Sequence, residues 1–97
     1  MIVHIVMFRF KDENKDANIV EVTARLNALL ELIPSLNSME VGIDFSKSER
    51  AFDMSIYTTF DSKEALGEYA VHPEHIKVVE IIREVTSESK VVDYIKD

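Results

Sequence analysis

The sequence predicts an α+β fold of the ferredoxin-like type, with a four-stranded antiparallel sheet and helices on one of its faces. Segments with strand and helix periodicity follow one another in the order strand, helix, strand, strand, helix, strand. The chain has 97 residues, which suits one domain, and no linker or low-complexity segment interrupts it. We therefore predict that residues 1–97 form a single βαββαβ domain.

The first predicted strand covers residues 2–11 and is apolar on both faces. One face carries His4, Val6, Phe8 and Phe10, and the other carries Val3, Ile5, Met7 and then Arg9. A strand of this kind is expected to be buried on both sides. Because the helices of this fold cover only one face of the sheet, the other face needs a different cover.

The first predicted helix covers residues 17–33. Its apolar positions recur at helical spacing: Ile19, Val22, Leu26, Leu29, Leu30 and Ile33. Pro34 disfavours a helical conformation at the residue before it and should end the helix there.

Three further strands complete the pattern. Residues 38–45 and 52–60 alternate between apolar and polar side chains on either side of a short polar loop, which indicates a hairpin. The last strand is predicted at residues 90–95.

A break in the second helical segment is the most informative feature of the sequence. The stretch Tyr69-Ala70-Val71-His72-Pro73-Glu74-His75 contains two of the three histidines. Ser62 is a suitable N-cap for the helix before it. Pro73 disfavours a helical conformation at His72 but suits the first turn of a new helix. We therefore predict one helix that ends near Val71 and another that begins at Pro73.

The position of His75 in that first turn favours neutral imidazole, because helix N-termini carry a positive local potential. A neutral imidazole can act as a general base, a hydrogen-bond acceptor or a metal ligand. A metal site would combine His72 and His75 with Glu68 or Glu74, but their spacing is not a recognised metal motif, so we expect no metal and no cofactor. The structural alternative is that Tyr69, His72 and His75 only stabilise the helix break.

Composition excludes several classes of function. The net charge of −7 argues against a nucleic-acid partner, which requires a basic surface, and more weakly against an anionic membrane. The absence of cysteine excludes disulfides and thiol chemistry. The N-terminal apolar run lacks a preceding basic region, and no apolar run reaches membrane-spanning length, so we expect a cytoplasmic protein.

The open sheet face predicts the partner. Tyr57, together with Val91 or Val92, adds apolar side chains to it. An exposed apolar face of this kind marks an interface, and the simplest cover is a second copy of the chain related by a two-fold axis. We expect a homodimer in which two sheets pack face to face into one barrel.

Motifs along the whole chain resemble the stress-responsive A/B barrel (Dabb) family of dimeric α/β barrels. The matching segments are residues 4–11, Ile33-Pro34, Glu40-Val41-Gly42, Phe60, the Tyr69–His75 stretch and Val92-Asp93-Tyr94. The Tyr-x-x-His-Pro-x-His element is the most specific of them. The resemblance implies the same homodimeric barrel and a stress-related or ligand-binding role.

One plant member of the family is a cyclase that closes a linear polyketide by an aldol condensation. The resemblance aligns its functional tyrosine and histidine with Tyr69 and His75, and its first-strand histidine with His4. A further histidine of that cyclase aligns with Met54. By this resemblance Tyr69 and His75 are candidate catalytic residues, with His75 as the general base.

Three hypotheses follow. The chain forms a binding or stress-related dimer that holds a small apolar ligand near Tyr69 and His75, or none; a cofactor-free lyase or cyclase for a polyketide-like carbonyl substrate; or a purely structural oligomer. The second requires a cavity that is open to solvent, whereas the third requires a filled core. The candidate ligand-binding residues are His4, Val6, Phe8, Leu26 and His72.

Overall fold

A four-stranded antiparallel sheet forms the centre of the computed structural model, which describes residues 1–97, and the strand order is β2-β3-β1-β4. The elements are β1 (Ile2–Phe10), α1 (Lys15–Leu32), β2 (Ser38–Ile43), β3 (Met54–Phe60), α2 (Lys63–Val71), α3 (Pro73–Val85) and β4 (Thr86–Ile95). The predicted ferredoxin-like fold is confirmed, including the break between α2 and α3. None of the helices combines the length and apolar character that a membrane crossing requires.

The hairpin strands β2 and β3 are shorter than predicted, because a turn begins at Asp44. Its carboxylate accepts hydrogen bonds from the backbone N–H of Lys47, at 2.8 Å, and from the hydroxyl of Ser46. The Lys47 bond is the largest cause of the lowered pKa of Asp44. Lys47 adopts a positive φ of 56°, outside the extended region of regular strands. Phe45, predicted to lie in β2, is therefore in the turn and is 94% exposed.

Strand β4 begins at Thr86, four residues before the predicted start at Lys90. Residues 86–89 are polar and show no apolar alternation, so the sequence pattern did not indicate a strand there. Pairing with β1 extends it instead, with Thr86 opposite Phe10 and Glu88 opposite Arg9. The Nε of Arg9 donates to Glu88 at 3.2 Å.

The core lies between the helices and one face of the sheet. Helix α1 buries Ile19, Val22, Leu26 and Leu29, whereas Leu30, predicted to share this face, is 43% exposed. Leu30 follows Leu29 directly and points about 100° away from it around the helix, outside the stripe that faces the sheet.

The opposite face of the sheet has no helix over it. Strand pairing places Tyr57, Ile5 and Val92 in one row across this open face, with Tyr94 beside Val3 in a neighbouring row. Val91 is opposite Val6 and therefore lies on the helix side, so Val92 is the open-face member of the pair. Met7, Val92 and Tyr94 each remain at least 40% exposed, which leaves apolar area uncovered.

Helix α2 begins at the predicted cap. The hydroxyl of Ser62 accepts a hydrogen bond from the backbone N–H of Ala65 at 3.1 Å. We expect Ser62→Ala to lower the free energy of unfolding by about 1 kcal/mol, because one N–H of the first turn loses its partner. Urea unfolding measures the loss. Ser48→Ala is the matched control, since Ser48 is exposed in a loop, and an equal loss in both variants would contradict the capping role.

Candidate functional site

The helix break is fixed by Pro73 and by the side chain of His72. His72 adopts extended backbone angles (φ −65°, ψ 134°), and Pro73 occupies the first turn of α3. The Nδ1 atom of His72 accepts a hydrogen bond from the backbone N–H of Glu74 at 3.1 Å, so this imidazole caps α3. His72 thus has a structural role as the cap of α3. Its predicted contact with a ligand stays a prediction.

His75 lies in the first turn of α3, with its Nδ1 atom 3.0 Å from the carbonyl oxygen of Ala70. A carbonyl oxygen can only accept, so Nδ1 carries a proton. Burial lowers the pKa of His75, with smaller contributions from His4 and His72, while the Ala70 bond opposes this effect. The neutral ring therefore has an unprotonated Nε2. Burial is the largest cause of this lowered pKa, and the predicted contribution of the helix N-terminus stays a prediction.

Tyr69 packs beside His75 at the end of α2. The ring centroids of the two residues are 4.2 Å apart, and the ring centroid of Phe60 lies 5.1 Å from that of Tyr69. Tyr69 is 3% exposed, and burial raises its pKa to about 12, so the phenol stays protonated. Its hydroxyl makes no hydrogen bond within the chain. Every polar side-chain atom that is fully buried does have a hydrogen-bond partner, so this hydroxyl is not fully buried. The hydroxyl is therefore open to a small molecule or water.

His4 is held on β1 by the neighbouring strand β4. Its Nδ1 atom donates a hydrogen bond to the carboxylate of Asp93, which lies directly opposite in the strand pairing. The backbone oxygen of His4 also accepts from the hydroxyl of Thr58 at 2.8 Å. These contacts orient the ring towards the space beneath the helices.

One cavity of about 50 Å³ brings most of the predicted site residues together. Its walls include His4, Val6, Phe8, Leu26, Tyr69 and His75, together with Ile56 and the α3 residues Val78, Val79 and Ile82. No lysine or arginine lines it, so its walls suit an uncharged molecule. The imidazoles of His4 and His75 and the phenol of Tyr69 are the three polar groups in this otherwise apolar cavity.

The role of Asp93 was missed by the sequence analysis. Asp93 follows two valines in an exposed strand, and nothing in that pattern links it to His4, 89 residues earlier. Only the pairing of β1 with β4 places them side by side. The alternative of a metal site has no support in the arrangement, as no group of three or more potential ligands is close enough to hold an ion.

The chain matches the Stress Responsive A/B Barrel Domain family over residues 2–96. It belongs to this family. The match spans every helix and strand from β1 to β4.

Two curated relatives and one solved structure illustrate the range of the family. The chain is 34% identical over 98 residues to a stress-response A/B barrel domain-containing protein of Arabidopsis thaliana, covering 100% of this chain but only 37% of that protein. It is 26% identical to olivetolic acid cyclase of Cannabis sativa, covering 94% of this chain and 92% of the cyclase. A dimeric ferredoxin-like protein from Bacteroides fragilis superimposes with a TM-score of 0.87 at 29% identity, covering 96% and 93% of the two chains.

The lowered pKa of His75 predicts a specific pH dependence. Its NMR titration in the folded chain should have a midpoint below the ordinary 6.5. The unfolded chain then binds more protons than the folded chain as the pH falls through that interval, so acidification destabilises the fold. This part of the pH dependence should vanish in His75→Gln, whose amide is always neutral. Urea unfolding at several pH values measures it, and an unchanged pH profile in the variant would contradict the assignment.

Proposed function

We propose that the chain forms a homodimer and that each copy binds a small, largely apolar ligand in the cavity at Tyr69 and His75. The observation that carries this proposal is the convergence of His4, Tyr69 and His75 on one cavity with apolar walls. Ligand sites commonly combine such walls with a few placed polar groups. The Arabidopsis relative is named for a stress response, and we propose that this chain also has a stress-related role.

The homodimer is supported by the open face of the sheet. Helices cover only one face, while Ile5, Tyr57 and Val92 form an apolar row across the other. A two-fold axis through this face would bury the row against its own copy and bring the edge strands β2 and β4 of different copies together. Several similar solved structures are dimeric proteins.

Val92→Asp tests the dimer, because it introduces a carboxylate into the centre of the proposed interface. We expect dimerisation to weaken by about 100-fold or more, so that light scattering at micromolar concentration shows a dimer for the native chain and a monomer for the variant. Val20→Asp on the exposed side of α1 is the matched control and should remain dimeric. A monomeric native chain would contradict the proposal.

A second candidate function is a cofactor-free lyase or cyclase acting on a carbonyl compound. The neutral state of both Tyr69 and His75 favours it, since the first can donate a hydrogen bond and the second can accept a proton. His75 Nε2 would remove a proton from the carbon next to a carbonyl whose oxygen is hydrogen-bonded by Tyr69. The resulting enolate carbon would attack a second carbonyl of the same molecule, and the oxygen of that carbonyl would receive the proton.

Two features bear on this second candidate. The similarity to olivetolic acid cyclase extends over nearly the whole chain and supports chemistry on a carbonyl substrate. However, Met54 stands where the sequence resemblance places a further histidine of the cyclase, and Met54 is buried and does not line the cavity. Any reaction in this chain would therefore depend on His4, Tyr69 and His75.

Thermal-shift measurements with small phenols and β-dicarbonyl compounds test the ligand site. We expect stabilisation of the native chain, a loss of most of it in His75→Gln and Tyr69→Phe, and no change in Val20→Asp. If the chain is an enzyme, the two site variants should also lower turnover by about 100-fold or more. Equal shifts in all four proteins, or none in any, would favour the purely structural oligomer.

A further inference from the structure

The cavity at Tyr69 and His75 is nearly closed in this structure. Its volume is about 50 Å³, whereas ligand pockets usually measure about 300–1,000 Å³. Most of its wall residues are buried, namely Phe8, Leu26, Ile56, Tyr69, Val78 and Ile82. A ligand can therefore enter and fit only if one of the surrounding elements moves.

Helix α2 is the least firmly packed of the three helices. Helix α1 has 18 residues and buries four of them, and α3 has 13 residues and buries two. Helix α2 has 9 residues, and Tyr69 is the only buried one. Because short helices are marginal without tertiary packing, α2 should detach from the core more readily than its neighbours.

The glycine in the middle of α2 weakens this helix further. Gly67 lies in the helix interior, where glycine is less favourable than any residue except proline because it loses the most backbone freedom. A Cβ atom at this position would meet no atom within 4 Å, and the φ angle of Gly67 is not positive. Neither a close approach nor the backbone conformation therefore requires a glycine here. Its effect is to lower the stability of α2.

Few contacts hold α2 against α3. Pro73 interrupts the helical ladder after His72, so the two helices are not continuous. The Nδ1 atom of His75 donates to the carbonyl oxygen of Ala70 at 3.0 Å, and this hydrogen bond links α2 to α3. The rings of Tyr69 and His75 add a packing contact. Since Tyr69 is the one α2 residue in the cavity wall, detachment of α2 would open the cavity.

The β2–β3 connection, residues 44–53, is longer than any other connection but does not offer such an opening. None of its residues lines the cavity. Arg9 donates to the carbonyl oxygen of Ala51 at 3.2 Å, and the carboxylate of Asp53 accepts from the backbone N–H of Phe10 at 2.7 Å. These bonds hold the connection against the end of β1.

We propose that α2 is a lid that opens the cavity at Tyr69 and His75 by local unfolding between Ser62 and His72. Gly67 favours the opening, and the hydrogen bond between His75 and the Ala70 carbonyl holds the closed position. Only the closed lid places the ring of Tyr69 beside that of His75, so a ligand enters first and meets the complete site when α2 refolds. The role of the lid in ligand entry rests on the proposed function of the cavity, whereas its opening does not.

A single cysteine on the cavity wall measures the opening. The native chain contains no cysteine, and Val78 lines the cavity and is 6% exposed, so Val78→Cys places one buried thiol of similar size there. Methyl methanethiosulfonate should label this thiol at a rate set by the fraction of open molecules, which mass spectrometry follows. Adding Gly67→Ala should slow the labelling about fivefold, because alanine stabilises the helix. Adding Ser62→Ala should speed it by a similar factor, because α2 loses its N-cap.

Two matched controls separate local opening from global unfolding. Val20→Ala raises the helix propensity of α1 at an exposed position, and Ser48→Ala removes an exposed loop hydroxyl. Both should leave the labelling rate of Val78→Cys unchanged. If Gly67→Ala does not slow the labelling, or Val20→Ala slows it equally, the lid is wrong. Should Val78→Cys not fold, hydrogen exchange of the α2 amides replaces it, with the same slowing expected in Gly67→Ala.

Phenol, used as a probe, separates the lid from the proposed function of the cavity. Saturating phenol should slow the labelling of Val78→Cys by about threefold or more, because it occupies the cavity that this residue lines. If phenol gives no protection while Gly67→Ala still slows the labelling, the proposed function is wrong and the lid stands. If phenol protects the thiol but Gly67→Ala leaves the rate unchanged, the cavity binds its ligand without this lid.

Discussion

The ring of Pro73, which removes a backbone N–H and restricts the residue before it, is the constraint around which the site is arranged. It prevents α2 from continuing, forces His72 into an extended conformation and starts α3 in a new direction. The carbonyl of Ala70, left free at the end of α2, then accepts the hydrogen bond of His75. A continuous helix would have used that carbonyl for its own ladder, and Tyr69 and His75 would have lain on different faces of it.

Burial shifts the pKa values of the two candidate catalytic side chains in opposite directions, and both shifts favour the neutral form. It raises the pKa of Tyr69 and lowers that of His75, because in each case the charged form loses its hydration. Both groups are therefore neutral at neutral pH, one as a donor and the other as an acceptor. A neutral pair of this kind is suited to a carbonyl compound and would not attract an anion.

The two faces of the sheet have different consequences for function. The helix side holds the cavity, and on the same side Asp93 of β4 is hydrogen-bonded to His4 of β1. The open side has apolar rows without a cover, which is the physical basis of the proposed dimer. Since Val91 and Val92 point to opposite faces, β4 would contribute to both regions through neighbouring residues.

The sequence by itself determined the element order, the helix break and most of the cavity wall. These depend on local physics: side-chain periodicity, the geometry of proline and the preference of Ser62 for a cap. It did not reveal the early start of β4 or the partnership of Asp93 with His4, because both arise from the pairing of strands at opposite ends of the chain. It also could not show that burial is the largest cause of the lowered pKa of His75. Those features depend on which surfaces meet in space, and only the tertiary structure decides that.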